Sequence, residues 1–246
     1  MWLRGLTELA RGIAQLVYPN ACLICDAPEP DGTPFRHGLC SECERSVSED
    51  PSPACPRCAE TVGLHTDLSA GCAVCRDEAL GFDQAIRLGP YDGRLRDAIL
   101  RMKHAPGEPL AEMLGRVAAG MEAPALKSLG VQVVVPVPLH WRRRWWRGYN
   151  QAAAVARELA SALGVAFEPW WLRRVKPTSQ QVQPSRTARQ ENMKGAFRAK
   201  HRASLAGRTV LLVDDVMTTG STASEAARAL KAAGAGTVVA LVLARR

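Results

Sequence analysis

The apolar residues are arranged differently in the first third of the chain and in the rest. From about Gly81 onward, short apolar runs alternate with segments in which apolar residues recur every three or four positions, the patterns of buried strands and amphipathic helices. The predicted strands cover residues 83–91, 131–138, 209–215 and 237–244, and the predicted helices cover residues 93–104, 109–121, 150–164 and 221–235. Strands that alternate with helices predict an α/β fold, with a mostly parallel sheet flanked by helices.

Residues 1–20 also show helical spacing of their apolar positions. Arg4, Glu8 and Arg11 interrupt any signal-peptide core, so we predict an amphipathic helix. We expect it to pack on the protein rather than on a membrane, because its polar face carries only two basic residues. The other apolar runs have the length of strands, which predicts no membrane span and favours a cytoplasmic protein.

All eight cysteines occur between positions 22 and 75, in four CxxC pairs separated by 14, 11 and 13 residues. These spacings suit loops that bring two pairs to one tetrahedral ion, and they predict two structural zinc sites. The simplest pairing is sequential, with one site formed by Cys22, Cys25, Cys40 and Cys43 and the other by Cys55, Cys58, Cys72 and Cys75. A cross-brace pairing fits the same spacing.

Other cysteine chemistries explain this pattern less well. A disulfide framework would suit a secreted protein, and no signal peptide is visible. An iron–sulfur cluster or a redox-active CxxC would not account for four pairs in a row. We therefore divide the chain into a helix and zinc-ribbon module over residues 1–80 and an α/β domain over residues 81–246.

The formal net charge of +8 is distributed unequally between these two parts. Residues 1–80 contain 6 basic and 12 acidic residues, residues 81–246 contain 26 and 12, and residues 140–208 alone contain 15 and 3. The basic concentration favours phosphate-rich partners. The acidic module, to which zinc-bound thiolates add negative charge, is better suited to docking on the basic part than to holding DNA.

The segment from Val210 to Thr222, VLLVDDVMTTGST, joins a predicted central strand to a helix. Its loop has small side chains, so consecutive backbone amides at the helix N-terminus can surround a phosphate. Two carboxylates beside that loop would repel a bare phosphate. We therefore expect them to bind sugar hydroxyls or a magnesium ion shared with other phosphates of the same ligand.

This segment resembles the phosphoribosyl-pyrophosphate signature of type I phosphoribosyltransferases, whose fold is Rossmann-like. Further motifs are PVPLH at 136–140, RGYNQA at 147–152 and GAF at 195–197, together with the pairs Thr178/Gln181 and Arg189/Asn192. They resemble the ComF family, in which a phosphoribosyltransferase domain follows a zinc ribbon. The resemblance covers nearly the whole chain.

The resemblance implies a role for each matching residue. Asp214 and Asp215 would be the catalytic acids that hold the ribose hydroxyls and the magnesium environment, and Arg143 and Arg147 would face pyrophosphate. The residues that would bind the 5-phosphate are Met217, Thr218, Thr219, Gly220, Ser221 and Thr222. A flap over the substrate would contain Thr178, Gln181, Arg189 and Asn192, although the stretch 173–202 that holds them could equally be solvated basic surface.

The acceptor side of such an enzyme is usually covered by a separate hood, and the sequence shows no hood after its last strand. We expect the stretch from Gly81 to Lys103 to form one, with the zinc module leaning over it. No base-reading pattern is visible there, so the acceptor cannot be identified from the residues.

Two other functions fit the same sequence. Trp141, Trp145, Trp146 and Tyr149 alternate with four arginines, a combination that binds single-stranded nucleic acids. The ComF family is associated with DNA uptake in competent bacteria, so single-stranded DNA and the uptake machinery are candidate partners. A regulator that senses phosphoribosyl pyrophosphate without reaction would show the same ligand-binding residues.

Overall fold

The computed structural model describes residues 21–30, 35–50, 52–104, 106–139, 147–176, 186–200 and 202–246. The predicted helix over residues 1–20 lies outside them. The helices are α1 (Ser41–Ser48), α2 (Gly93–Arg101), α3 (Glu108–Ser128), α4 (Gln151–Leu163), α5 (Arg186–Met193), α6 (Arg202–Leu205) and α7 (Ser221–Ala232). The strands are β1 (Gln84–Pro90), β2 (Val133–Pro136), β3 (Ala166–Phe167), β4 (Leu172–Arg174), β5 (Phe197–Ala199), β6 (Thr209–Met217) and β7 (Thr237–Arg245).

Five strands form the main sheet, in the order β1-β7-β6-β2-β3. Every pairing in this sheet is parallel, which confirms the predicted α/β fold. Strands β4 and β5 form a separate antiparallel pair. The carboxyl ends of β2 and β6, two neighbouring strands, therefore lie together at one edge of the sheet, where ligands of open α/β sheets bind.

Residues Val210–Val213 of β6 are buried, because both faces of the strand are covered there. Leu211 and Val213 pack into one apolar cluster with α3 and α4, whereas Val210 and Leu212 pack into a second cluster with α7. All four side chains are at most 1% exposed. This two-sided burial fixes the position of the residues that follow Val213.

Several element boundaries differ from the predictions. Strand β6 continues two residues beyond Asp215 because Val216 and Met217 still pair with β7. Helix α3 extends to Ser128 with Pro124 inside it, and β2 begins two residues later than predicted. The sequence pattern did not indicate α1, α5, α6 or the three short strands β3, β4 and β5, because two to eight residues are too few for a clear period.

Helices α3 and α4 pack closely at Gly115. A Cβ atom at this position would lie 3.0 Å from the Cα atom of Val155 and from the Cβ atom of Glu158. Gly120 lies on the same helix, and a Cβ atom there would have nothing within 4 Å. The two glycines therefore differ in packing while sharing one helical backbone.

We expect Gly115→Ala to lower the free energy of unfolding by about 1–3 kcal/mol, since the added methyl group must separate the two helices. Gly120→Ala should raise it by roughly 0.5–1 kcal/mol, because alanine is the better helix former and meets no neighbour. Urea unfolding of the zinc-loaded protein measures both. Equal effects of the two substitutions would contradict the packing described for Gly115.

Candidate functional site

The candidate site begins with a short loop between β6 and α7. The loop consists of Thr218, Thr219 and Gly220, and α7 starts at Ser221 without a side-chain cap on its first amides. Gly220 has a φ angle of 77°, a left-handed conformation that glycine adopts at little cost. A cavity of about 30 Å³ opens directly against the loop and the start of α7. Apart from that of Ser221, which contacts Thr219 Oγ1, the amides of this turn have no described acceptor and can bind an anion.

The loop's hydroxyl groups already interact with one another. The Oγ atoms of Thr219 and Ser221 are 2.7 Å apart, and the backbone N–H of Ser221 donates to Oγ1 of Thr219 over 3.4 Å. Thr218 is exposed, whereas Thr219 and Thr222 are half-buried. The side chains therefore add donors to the backbone amides without filling the cavity.

Asp214 and Asp215 lie near the end of β6, two residues before this loop. The Asp215 carboxylate forms an ion pair with Lys103 (Oδ2 to Nζ, 3.2 Å) and accepts a hydrogen bond from Gln151 Nε2 over 3.1 Å. Asp214 accepts a hydrogen bond only from the backbone N–H of Asp215 among the described contacts, over 2.9 Å. The two neighbouring acids thus have different surroundings.

These surroundings separate their pKa values. Burial, together with the neighbouring charge of Asp215, raises the pKa of Asp214 well above its usual value. Burial alone would do the same to Asp215, but the Lys103 ammonium and the hydrogen bond from Gln151 outweigh it and lower the pKa of Asp215. In the unliganded site the carboxylate form is therefore favoured for Asp215 and disfavoured for Asp214.

The start of α4 brings a second segment to the same edge. Asn150 caps the helix by accepting from the backbone N–H of Ala152, and its side-chain amide donates to the carbonyl of Val137, just after β2. The Tyr149 hydroxyl donates to the carbonyl of Met102, and burial raises the pKa of Tyr149 to about 12, so that it keeps this proton. These contacts fix the start of α4. Gln151, its first residue, is only 3% exposed and contacts Asp215.

The structure brings together part of the predicted site. Asp214 and residues 217–222 line the cavity at the loop, Asp215 is the next residue of β6, and Arg147 lies half-buried four residues before α4. Asn192 lies half-buried on α5. Arg143, Thr178 and Gln181 lie outside the described residues, as do the side chain of Arg189 and the three tryptophans Trp141, Trp145 and Trp146.

Three residues of the site were not identified from the sequence. They are Lys103, Gln151 and Arg245, and each reaches β6 from an element distant in sequence. Gln151 could have been suspected, because it belongs to the RGYNQA motif. Lys103 and Arg245 carry no local signal, since a single basic residue at the end of a helix or strand is common on protein surfaces.

The eight cysteines form two groups of four, and the grouping is sequential. Within each group all four sulfur atoms lie within 4.8 Å of one another. The Sγ atoms are 3.7 Å apart in Cys25–Cys40 and 3.5 Å apart in Cys58–Cys72, close to the separation of about 3.8 Å that tetrahedral zinc with Zn–S bonds of about 2.3 Å requires. Both groups fit zinc, and the cross-brace alternative does not occur.

The two groups share one backbone design. The amide of the first cysteine donates to a carbonyl five residues later (Cys22 to Ala27, Cys55 to Glu60), and the residue before that carbonyl has a positive φ angle of 58–59°. Burial opposes ionisation of Cys22, but the backbone amides of Cys25, Cys40 and Ile24 lower the pKa of this thiol to about 6. Such knuckles present thiolates in the form that binds metal.

None of the helices that the structure describes combines the length and the apolar character that a membrane-spanning helix needs.

Comparison with known proteins gives matches over both parts of the chain. The family described as "Phosphoribosyl transferase domain" matches residues 149–246, and the family described as "Double zinc ribbon domain" matches residues 13–78. The DNA utilization protein YhgH of Salmonella typhimurium is 32% identical over 234 residues, which cover 94% of this chain and 99% of that protein. Competence protein F of Haemophilus influenzae is 31% identical over 214 residues, covering 85% and 91%. Competence protein ComFC of Bacillus subtilis is 24% identical over 242 residues, covering 91% and 92%.

The unequal acids predict opposite effects on stability. Asp214→Asn should raise the melting temperature at pH 7, because the parent must protonate or bury an unfavourable carboxylate. This gain should shrink as the pH falls towards 3.8, the ordinary aspartate value, where the folded and unfolded parent both hold the proton. Asp215→Asn should destabilise the protein by about 3 kcal/mol, because it leaves the Lys103 charge without a partner.

Thermal unfolding of the two zinc-loaded variants between pH 4 and pH 8 tests this pair of expectations. Shifts of the same sign in both variants at pH 7 would show that the two carboxylates are equivalent, contrary to the geometry.

Proposed function

Because the chain belongs to the ComF family, which joins a double zinc ribbon to a phosphoribosyltransferase domain, we propose that it binds phosphoribosyl pyrophosphate with magnesium and transfers the phosphoribosyl group to an acceptor. One observation carries this proposal. Two adjacent acids of unequal pKa follow the buried part of β6, and a glycine-containing loop leads into the N-terminus of α7 within six residues.

The loop supplies the 5-phosphate site. Its amides from Thr218 to Thr222 lie at the positive end of α7, and the phosphate dianion is stabilised by this dipole as well as by hydrogen bonds. The hydroxyls of Thr219 and Ser221, which now interact with each other, turn to donate to phosphate oxygens. Gly220 leaves the backbone accessible.

The two acids bind the ribose. Asp215, held as a carboxylate by Lys103 and Gln151, accepts hydrogen bonds from the sugar hydroxyls, and Asp214 lies beside it. Magnesium, which prefers oxygen ligands, would be held near Asp214 and Asp215 and would neutralise charge on the pyrophosphate. A positive ligand charge near Asp214 would also favour its ionised form.

The chemistry needs placement and electrostatic stabilisation rather than a covalent nucleophile. The bond between ribose C1 and the pyrophosphate oxygen breaks, pyrophosphate leaves with the bonding electrons, and the acceptor forms the new bond to C1. Positive charge develops on the sugar, so the fixed carboxylate of Asp215 stabilises it. Arg147, together with Arg143, would stabilise the departing pyrophosphate.

Calorimetric titration of the zinc-loaded protein with phosphoribosyl pyrophosphate and magnesium tests the binding step. We expect the parent to bind and the double variant Asp214→Asn/Asp215→Asn to lose at least tenfold in affinity, because both sugar-binding carboxylates are removed. Asp97→Asn serves as the matched control, since Asp97 lies exposed on α2 and pairs only with the exposed Arg96 among the described contacts.

The same samples separate an enzyme from a sensor. Release of pyrophosphate in the presence of an acceptor supports transfer, whereas tight binding without release under any acceptor identifies a sensor of the ligand. A folded parent that does not bind the ligand would overturn the whole proposal.

A second function, single-stranded DNA binding, is favoured by a groove of about 470 Å³ beside α4. Three aromatic side chains line it (Tyr149, Phe167 and Trp170), together with Arg157, Arg173 and Arg174. The Trp170 side chain is notable because the residue is 54% exposed. Aromatic surfaces interleaved with cations bind unpaired bases and phosphates, and the names of the relatives, DNA utilization protein and competence protein, support a place in DNA uptake.

We expect Trp170→Ala to weaken binding of a fluorescent oligothymidine about tenfold at low salt, since stacking of one base contributes about 1–3 kcal/mol. Leu64→Ala is the control, because Leu64 is equally apolar and 82% exposed but lies in the cysteine-rich module. The double variant Trp145→Ala/Trp146→Ala should weaken binding in the same assay. If Trp170→Ala and the double variant both bind like the parent, stacking of bases on these aromatic residues is excluded.

A further inference from the structure

The second cysteine group is connected to the candidate phosphate loop by one buried arginine. Arg245, near the end of β7, has a side chain that is 3% exposed. Its Nη2 atom lies 2.8 Å from the Glu60 carboxylate, and its Nη1 atom donates to the carbonyl of Met217 over 3.1 Å. Met217 is the last residue of β6, immediately before the loop.

Glu60 is itself fixed by the metal-binding knuckle. Its carbonyl accepts the backbone N–H of Cys55 over 2.8 Å, and the preceding residue, Ala59, is completely buried with a φ angle of 58°. Arg87 on β1 binds the same knuckle through the carbonyl of Ala59, 3.0 Å away. The position of the Glu60 carboxylate therefore depends on the folded knuckle around the second group of cysteines.

The first cysteine group lacks this connection. The equivalent knuckle position is Ala27, which has no carboxylate, although the backbone hydrogen bond is the same. That ribbon instead contacts α2, where Arg94 donates to Cys43 Sγ over 2.8 Å and Arg101 donates to the carbonyl of Ile24. Helix α2 is followed by Lys103, the partner of Asp215.

We propose that Glu60 and Arg245 are positioning residues that make the conformation of the phosphate loop depend on the second zinc ribbon. When the ribbon is folded, Arg245 holds the carbonyl of Met217, and this fixes where the following amides point. When the ribbon is unfolded, the Glu60 carboxylate no longer neutralises a buried guanidinium. Arg245 must then leave its site, and the carbonyl of Met217 keeps only the backbone N–H of Arg246, 2.9 Å away, as a partner.

The energetic argument rests on burial. A guanidinium removed from water needs its charge and its donors matched, and Arg245 has Glu60 as its only carboxylate partner among the described residues. Its Nε atom has no hydrogen-bond partner there. Arg245 therefore has few partners to lose. Removal of the Glu60 charge should displace the Arg245 side chain from its buried position.

The test is Glu60→Gln in the full, zinc-loaded chain. The isosteric amide keeps the shape of the knuckle, so zinc content should stay at two ions per chain, in accordance with the two cysteine groups. Hydrogen exchange of the loop amide that has an acceptor, that of Ser221 to Thr219 Oγ1, should become about tenfold faster, while Val210–Val213 of β6 exchange as in the parent. Arg245→Lys, which keeps the charge but loses the fork of donors, should give the same result.

Zinc chelation supplies a readout that a merely structural role would not reproduce. Chelation should accelerate exchange of the loop in the parent but add little in Glu60→Gln, because both changes break the same connection. Independent effects that multiply in the chelated variant, or parent-like loop exchange in Glu60→Gln, would overturn the proposal. If chelation also accelerates hydrogen exchange of Val210–Val213, the domain has unfolded. The comparison of zinc-loaded Glu60→Gln with the zinc-loaded parent then decides.

This inference deepens the proposed function, because the loop is its phosphate site. Glu60→Gln should weaken binding of phosphoribosyl pyrophosphate about tenfold with zinc content unchanged, whereas Asp97→Asn should not. If the parent does not bind this ligand while the exchange coupling is present, the proposed function fails and the connection stands. If the parent binds it and the coupling is absent, the connection fails alone.

Discussion

The burial of two adjacent carboxylates at the end of β6 is the constraint that organises this protein. The strand is covered on both faces up to Val213, so Asp214 and Asp215 emerge in a region that is only partly hydrated. Removing a carboxylate from water costs several kcal/mol unless a partner compensates. The unliganded protein compensates one acid through Lys103 and Gln151 and leaves the other with a raised pKa.

The elements around β6 position the two side chains, Lys103 and Gln151, that compensate the charge of Asp215. Helix α2 ends just before Lys103, and Tyr149 at the start of α4 donates to the carbonyl of Met102, the neighbouring residue. Asn150 joins the start of α4 to the segment after β2. Lys103 and Gln151 are therefore fixed through shared contacts, and they compensate Asp215, whereas Asp214 has only the backbone N–H of Asp215 as a hydrogen-bond donor among the described contacts.

The sequence predicted those parts of the site that are local. A buried strand, two acids, a loop of small residues and an amphipathic helix follow one another between Thr209 and Ala232, so their pattern is visible without the fold. It did not predict Lys103 or Gln151, because their partner Asp215 is 112 and 64 residues away, respectively, in the chain. The end of β6 was placed too early at Asp215, since aspartate is a poor strand former and only pairing with β7 carries the strand to Met217. The cysteine pairing stayed open because the spacing suits both arrangements.

The two zinc ribbons are attached to the domain by different physical means. The first shares its apolar core, since Cys22, Ile24, Leu39 and Val47 belong to the same buried cluster as α2 and α3. The second has a buried cluster consisting of its four cysteines alone, so the metal must supply the energy that a larger core would provide. It meets the sheet through Arg87 and Arg245, whose buried guanidinium groups bind its acids and carbonyls. Apolar contacts tolerate small shifts, whereas these charged contacts require defined positions on both sides. The ribbon with the smaller core therefore has the more specific influence on the end of β6.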